Sequence, residues 1–374
     1  MLIRTSRTRR SQRSLRLVAL SACTVAAVAA GSATAGAATG AAATGTSGST
    51  AAADSSPYPL LCRAQHLVQW LSYLCAQPGD LLDVRIGDVH ATQPSLGYDE
   101  VYYKLGRYTL GKDKINKKFD DWCEANGQVE AASARPDARL DDPESFTCKV
   151  PVGSETAESI APMKTVVIGP GGVPYLTDGH HTLTSFYETR DGGANLHVRL
   201  RVLGNLSKLS PSAFWKQMQA NKWVWTRDPK GKPVSVWSLP GGVGLKRFQN
   251  DPYRSALYFT RDIGYTAGTI PFQEFYWGNW VRGTQPDALG GDLTTLPGYL
   301  AAVDKISHAQ TALPADSVVT DGFTAGQLGA LKAWNDGKAA EKGEFAKLSK
   351  PYADEKPGKI AYMLEYKKAH GIKG

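Results

Sequence analysis

The segment from residue 163 to residue 187 constrains the fold of this chain more than any other. A β-branched run at 165–168 and an apolar run at 173–176 are joined by Gly-Pro-Gly-Gly, which is typical of a hairpin turn. The sequence Asp-Gly-His-His-Thr at 178–182 follows at once and opens a helix. A hairpin that leads straight into a helix predicts an α+β unit.

The neighbouring segments extend this unit on both sides. Alternating or apolar patterns predict strands at 81–89 and 197–203, and helical spacing predicts a helix at 98–105. Residues 124–145 are polar and contain proline, so they predict a surface excursion. These patterns assign residues 57–204 to one α+β domain.

The remaining segments differ in composition. Beyond this domain the pattern is mainly helical and rich in tryptophan, which predicts a helical C-terminal region at 205–374. An Arg-rich start, an apolar stretch at 15–30 and two Ala-x-Ala sequences predict a secretory signal peptide over 1–37. Residues 38–56 are almost entirely Ala, Thr, Gly and Ser, which predicts a flexible linker.

The apolar stretch at 15–30 also bears on localisation. It is short and rich in alanine, so it does not predict a stable membrane span. Leu-Ser-Ala-Cys at 20–23 resembles a lipoprotein cleavage site, but the apolar run continues past Cys23, which favours simple cleavage. We expect a secreted, extracytoplasmic protein, and a lipoprotein is the second alternative.

The net charge of +8 overstates how basic the mature protein is. Six of the 43 Lys and Arg residues lie in the first sixteen positions, and without them 37 basic residues face 35 acidic ones. A nearly neutral protein lacks the electrostatic footprint of a high-affinity DNA binder. Non-specific duplex binding is therefore not our first hypothesis.

The cysteines fit an exported protein. Cys23 falls within the signal peptide, which leaves Cys62, Cys75, Cys123 and Cys148. An even number in an exported chain predicts two disulfides with three possible pairings, of which we expect the pairing of neighbours, 62 with 75 and 123 with 148. Free buried thiols are the alternative. Zinc is disfavoured because no Cys-x-x-Cys pair is present.

The Asp-Gly-His-His-Thr sequence, called the box below, is the strongest candidate site. Asp178 is placed to cap the helix, and Gly179 lets the backbone approach a ligand closely. The free N–H groups and the helix dipole favour an anion, most plausibly a phosphate. Adjacent residues on a helix point about 100° apart, so we expect one of His180 and His181 to face the ligand as general acid/base or phosphate contact and the other to be structural. The equal alternative is a capped helix whose imidazoles bond to the backbone.

The chain resembles ParB-like domains in several motifs. Residues 82–98, with Val101 and Lys104, are similar to the opening motif, in which a strand leads through a Pro-Thr-Gln-like turn and a glycine into a short helix. The box resembles the second motif of the same ParB/sulfiredoxin superfamily. Asp-Pro-Tyr-Arg-Ser at 251–255 and the aromatic stretch at 272–280 resemble the downstream pattern of the group described as ParB-like nucleases.

This resemblance implies a ParB/sulfiredoxin-like fold and a phosphate-bearing ligand at the helix that starts near Gly179. The sequence departs from the superfamily at three points. Thr182 stands where the box usually ends in an arginine, which removes a bidentate phosphate contact. Gln93 stands where the free-serine kinases of the superfamily have a glutamate, and an amide cannot act as a base. The nucleophilic cysteine of sulfiredoxins is absent, so their chemistry is excluded.

Other residues join the candidate site with an alternative beside each. His90 could meet a box histidine across a cleft, or be a buried structural histidine. Lys104 could reach a phosphate, or be a solvated lysine. Arg254 could replace the missing box arginine, as could Arg261 or Arg282, but a structural ion pair with Asp251, Asp262 or Glu274 is the favoured alternative for each. The tryptophans are expected in the core rather than as base-stacking platforms.

Two functional hypotheses follow. The first is an exported nuclease or nucleotide-dependent phosphotransferase, with catalytic residues Asp178, His180, His181 and His90 and with Gly179, Thr182, Gln93, Lys104 and Arg254 contacting the substrate. Its substrate is a phosphate-bearing small molecule or a nucleic acid. No metal ligands are assigned, although Mg²⁺ is a candidate cofactor because it prefers phosphate and oxygen ligands. The second is a binding module that keeps the fold without catalysis, which the residues at 93 and 182 favour.

Overall fold

The computed structural model describes residues 73–268 and 270–373 of the 374-residue chain. The predicted signal peptide, the linker and Cys62 lie outside the described residues. Among those residues no helix has both the length and the apolar composition needed to cross a membrane.

Short strands and helices are interspersed along the chain. The strands are β1 (Leu81–Arg85), β2 (Ser95–Leu96), β3 (Ala131–Ala134), β4 (Phe146–Cys148), β5 (Thr165–Ile168), β6 (Pro174–Leu176), β7 (His197–Asn205), β8 (Gln249–Asn250), β9 (Val318–Thr320) and β10 (Phe323–Thr324). The helices are α1 (Tyr98–Leu110), α2 (Lys117–Ala125), α3 (Ala157–Ile160), α4 (His180–Glu188), α5 (Pro211–Ala220), α6 (Pro252–Phe259), α7 (Gln273–Thr284), α8 (Leu296–Thr311), α9 (Gly343–Leu348) and α10 (Lys359–Ala369).

A four-stranded mixed sheet organises the α+β part. Its strand order is β1-β7-β5-β6, with β5 parallel to β7 and the other two pairs antiparallel. The predicted strand at 165–168 and its hairpin partner are confirmed. The α+β prediction is therefore correct for this part of the chain.

The sheet buries its two faces against different helices. One face contributes Val84, Val166 and Leu200 to a core that also contains Leu105 of α1 and Leu183 of α4. Complete burial of such a side chain contributes about 1.5–3 kcal/mol. This packing fixes α1 and α4, which carry the two predicted motifs, side by side on the sheet.

The opposite face packs against α5. Val167 of β5 is buried there with Phe214, Trp215 and Met218 of α5. This helix covers only part of the face, and Thr165, Arg201 and Leu203 line an open cleft instead. The edge of the sheet that leads to α4 is therefore accessible from this side.

The segment at 124–145 is largely exposed, as its polarity predicts, but it is not without regular structure. It contains β3, which pairs with β4 just beyond the segment, and Leu140 and the adjoining Phe146 are buried, with the ring of Phe146 4.7 Å from that of Phe119. The Cys123–Cys148 disulfide ties the β3–β4 hairpin to α2 and confirms one of the two predicted pairs. The two apolar side chains and the disulfide attach this largely exposed segment to the core.

The C-terminal helices pack against the helix of the first motif. α1 contacts α10 and α6, and α6 contacts α7. Tyr103 of α1 is buried together with Tyr258 of α6 and Met363 of α10. The boundary predicted after residue 204, and the separate helical region beyond it, stay predictions.

Candidate functional site

Gly179 forms the turn between β6 and α4. It has φ 95° and ψ 11°, and its carbonyl accepts a hydrogen bond from the N–H of Leu183 at 2.8 Å, so it is the N-cap of α4. Glycine adopts this left-handed conformation without the steric cost of a β-carbon. A β-carbon at this position would also lie 2.7 Å from the Cβ of Lys164. Both the backbone and the packing therefore require glycine.

Asp178 does not cap the helix, and the prediction that it does is wrong. The cap lies one residue later, at Gly179, and no side chain makes a capping hydrogen bond to the first turn. Its side chain is 67% exposed and forms an ion pair with Lys164, with Nζ 3.8 Å from Oδ2. Consequently the N–H groups of the first three helical residues, 180–182, have no acceptor among the described residues.

His180 is held by the loop that precedes α1. Its side chain is only 2% exposed, and its Nε2 accepts a hydrogen bond from the backbone N–H of Thr92 at 3.1 Å. The hydroxyl of Thr92 donates to the carbonyl of Leu176 at 2.6 Å, which fastens the same loop to β6. His180 therefore joins the first motif to the box.

His181 makes the equivalent hydrogen bond to a residue further along the first motif. Its Nε2 accepts from the N–H of Gly97 at 3.0 Å, and Oε2 of Glu100 lies 3.8 Å away. Both imidazoles thus have a backbone donor, against the expectation that one would be left without a structural partner. An Nε2 that accepts places the proton of the neutral ring on Nδ1, so each ring keeps one N–H donor.

The environment of both histidines keeps them uncharged at neutral pH. Burial lowers the pKa of His180 to about 3, and the charge of Asp178 opposes this only in part. Burial, with the charge of Arg254 and then His180, lowers the pKa of His181 well below its ordinary value. Neither ring is then poised near pH 7, which is where a histidine general acid/base works best.

A cleft of about 900 Å³ opens at the start of α4. It brings together eight of the residues predicted from the sequence: Gln93, Lys104, Asp178, Gly179, His180, His181, Thr182 and Arg254. Apolar side chains, among them Leu203, Trp223 and Phe272, form part of its wall. Its lining combines polar anchors with apolar surface, as ligand sites commonly do.

His90 is not among the residues that line this cleft. Its ring packs edge-on against Tyr175, with 5.3 Å between the ring centroids, and its backbone bridges to the same residue. Burial, and then the charge of Arg247, lower its pKa. The structure does not bring it to the box histidines.

Gln93 lines the cleft, and its side-chain amide makes one hydrogen bond within the protein. Nε2 donates to the carbonyl of Ser95 at 2.7 Å, and the side chain is buried. This bond holds the loop in which Thr92 contacts His180. Gln93 therefore supports the geometry of the first motif.

A buried charge network forms the floor of the cleft. Arg254 of α6 lies 2.9 Å from Oε2 of Glu100 on α1 and 3.8 Å from Oε2 of Glu274 on α7. Arg261 also pairs with Glu274. The structural ion pair expected for Arg254 and Arg261 is therefore present, with Glu100 as the additional partner, and Arg282 pairs with Asp251 as expected.

The network favours the charged forms of Arg254 and Glu274 although both side chains are buried. Burial opposes the charge on Glu274, but Arg261 and Arg254 outweigh it and keep its pKa below the ordinary value. Burial likewise opposes the charge on Arg254, and the two glutamates raise its pKa. Asp251 caps α6 by accepting from the N–H groups of Tyr253 and Arg254, which fixes where Arg254 leaves the helix.

Lys104 belongs to a second ion pair. Its Nζ lies 3.1 Å from Oδ2 of Asp121, which also accepts from the hydroxyl of Tyr108 at 2.7 Å. Burial opposes its charge, but the carboxylate of Asp121 raises its pKa. Lys104 is thus neither the solvated lysine of the alternative nor an unpaired cation.

Sequence reasoning missed five charged residues that line the cleft: Glu100, Asp121, Glu124, Lys164 and Arg201. Glu100 and Lys104 are four residues apart, which is the spacing of a surface ion pair on a helix and gives no hint of burial. Arg201 lies on a strand whose alternation indicates only which face it occupies. The one usable signal was that Arg254 and Glu274 both fall in the downstream motifs. No group of three or more His, Cys, Asp or Glu residues in the described part of the chain is arranged to hold a metal ion.

The motifs that line the cleft are those of one protein family. The family model described as "Putative ParB-like nuclease" matches residues 82–283, more than half of the 374 residues. The chain belongs to this family. Every residue that lines the cleft lies within the matched range. The resemblance that the motifs indicate is confirmed.

Two further comparisons add no functional information. The crystal structure of protein Atu1540 from Agrobacterium tumefaciens is similar over 62% of this chain and 93% of its own, with 18% sequence identity and a TM-score of 0.42. No curated protein matches the chain.

Proposed function

We propose that this ParB-like protein binds a phosphate-bearing ligand, a small molecule or a nucleic acid, in the cleft at the start of α4. The observation that carries the proposal is the helix start itself: three consecutive N–H groups, at 180–182, have no acceptor among the described residues and open onto the cleft. Oriented N–H groups and the positive end of the helix dipole favour a phosphate. The Nδ1–H groups of His180 and His181 are further donors for the same ligand.

The state of the histidines favours binding over acid/base catalysis by these rings. Both Nε2 atoms accept from the backbone, and burial lowers both pKa values, so neither ring is the protonated imidazolium that could act as general acid toward a leaving oxygen at pH 7. A nuclease or phosphotransferase is the second candidate, supported by the family description. In that case Asp178, the exposed carboxylate at the helix start, is the base we propose.

Export of the protein is also a proposal. It is supported by the predicted signal peptide and by the Cys123–Cys148 disulfide, because disulfides persist mainly in oxidising compartments. Mg²⁺ remains a candidate cofactor that would reach the cleft with the phosphate, since it commonly combines few carboxylates with substrate oxygens.

A thermal-shift screen of the purified protein tests the binding. The compounds are nucleotides, short DNA and RNA, and phosphoserine, each with and without Mg²⁺. A ligand at a hundred times its dissociation constant should add about 2.7 kcal/mol to the stability. We expect the Gly179→Ala variant to lose the shift and the Gly171→Ala variant, altered in a turn outside the cleft lining, to keep it.

The same pair of variants separates the outcomes. A shift that persists in Gly179→Ala would mean that the ligand binds elsewhere. No shift with any phosphate compound would contradict the proposal. If a compound binds, turnover by wild type and its loss in Asp178→Asn would favour the enzyme, whereas binding without turnover would favour the module.

A further inference from the structure

Among the described cations that line the cleft, Arg201 is the one that the site described above does not use. It lies on β7, paired across the sheet with Thr165 of β5, and both residues line the cleft. The hydroxyl of Thr165 is 2.8 Å from that of Thr177, which immediately precedes Asp178 and Gly179. The backbone N–H of Arg201 donates to the carbonyl of Lys164 at 2.9 Å. Arg201 therefore stands beside the strand end that delivers the chain to the start of α4.

The other cations that line the cleft are all engaged. Their ion pairs are Lys104 with Asp121, Lys164 with Asp178, Arg254 with Glu100 and Glu274, and Arg261 with Glu274. Arg201 has no ion pair within residues 73–268 and 270–373. Its Nε is buried and has no hydrogen-bond acceptor there. A partly buried guanidinium without a carboxylate partner is costly, so an anion bound from the cleft would offset that cost.

A second arginine on the same strand, Arg199, forms an ion pair and serves as a comparison. Arg199 lies two residues earlier, on the same face of β7, and pairs with Glu155. The two arginines differ in partner and in position. Arg199 pairs with a carboxylate of the protein and does not line the cleft, whereas Arg201 lines the cleft and has no carboxylate partner among the described residues.

The geometry points to Arg201 as the arginine that contacts the phosphate group of the ligand, in place of the box arginine that is Thr182 in this chain. This inference rests on the proposed function. A planar guanidinium can hold two phosphate oxygens at once, which a lysine cannot. Because the contact comes from β7 and the N–H groups come from α4, the phosphate would be held from two sides.

The test measures the affinity of the purified protein for inorganic phosphate by calorimetry. We expect Arg201→Gln to weaken binding at least tenfold, Arg201→Lys to be intermediate, and Arg199→Gln to bind like wild type. Without phosphate, Arg201→Gln should be no less thermally stable than wild type, because Arg201 makes no ion pair with any residue that the structure describes. A purely structural role would instead lower the stability of the unliganded variant.

The outcomes separate this inference from the proposed function. If wild type binds phosphate and Gly179→Ala abolishes binding, but Arg201→Gln binds normally, the role of Arg201 is wrong and the site at α4 stands. If wild type does not bind phosphate, both are wrong. An equal loss of affinity in Arg199→Gln would also overturn the inference, since it would indicate a general effect of charge on the strand.

Discussion

At the scale of single residues, the box serves as a junction as well as a candidate site. His180 and His181 each use Nε2 to hold a backbone N–H of the first motif, and Gly179 provides a turn that leaves the first helical N–H groups open. The two histidines of the box therefore have a structural role, which is to hold the first motif against α4. In the binding that we propose, they contribute through Nδ1–H and the backbone N–H groups.

Replacement of His180 by glutamine should change how stability depends on pH. In the folded protein its pKa is about 3, against 6.5 for an ordinary histidine, so the unfolded chain takes up a proton that the folded protein excludes. The stability due to the neutral ring is present above pH 6.5 and is lost as the pH falls towards 3. Between these values His180→Gln should reduce the slope of unfolding free energy against pH by about 1.4 kcal/mol per unit. Denaturant unfolding at pH 6 to 4.5 measures this, and an unchanged slope would contradict the buried neutral ring.

Two glycine-to-alanine changes separate backbone strain from packing. Gly171 and Gly179 both have positive φ, but a β-carbon at 171 meets nothing within 4 Å, whereas one at 179 meets the Lys164 stem. We expect Gly171→Ala to lose about 1 kcal/mol, from the left-handed backbone alone, and Gly179→Ala to lose clearly more. Chemical denaturation compares them. Equal losses would show that the Lys164 contact does not constrain the turn.

At the scale of elements, the sequence predicts strands and helices well but not the ionic contacts between them. The hairpin of β5 and β6 and the helix after Gly179 follow from β-branched runs, a glycine turn and a helix start that are local in the chain. Glu100, Arg254 and Glu274 come from three helices far apart in sequence. Their meeting depends on how α1, α6 and α7 pack, which no local pattern encodes. The cap lies one residue later than predicted because Gly179, in its left-handed conformation, is itself the N-cap.

Removal of Arg254 should weaken the junction of these helices. Glu100 is 5% exposed, and Arg254→Met would leave its carboxylate buried without its cation. Breaking a buried pair from one side costs about 3–5 kcal/mol. The double variant Glu100→Gln/Arg254→Met should recover part of the loss, because no uncompensated charge remains. Arg139→Met, in an exposed pair with Asp141, is the control and should cost less than about 1 kcal/mol. A small loss for Arg254→Met in the same unfolding assay would contradict the network.

At the scale of the whole molecule, the cleft lies in the part of the chain that matches the family. The motifs that identify the family, at 82–98 and 178–182 and further downstream, are the ones that meet around the cleft. The sequence predicted most of this site through the resemblance, but it could not distinguish a free imidazole from one that holds a backbone N–H. It also placed His90 at the site, where the structure does not bring it.

The proposed export gives a prediction about the mature chain. Signal cleavage after the Ala-x-Ala sequences should leave an N-terminus at Gly36 or Ala38. Mass spectrometry of the protein from the extracytoplasmic fraction checks this, and a lipid-modified Cys23 would indicate the lipoprotein alternative. A variant without residues 1–37 should stay inside the cell. Uncleaved wild-type protein found only in the cytoplasm would contradict export.

The most direct test of the central claim is a crystal structure of the protein grown with inorganic phosphate at saturating concentration. We predict a phosphate whose oxygens accept hydrogen bonds from the N–H groups of His180, His181 and Thr182, with the Arg201 guanidinium on its other side. A phosphate bound only elsewhere, or an empty helix start at a concentration that saturates binding in solution, would contradict the account.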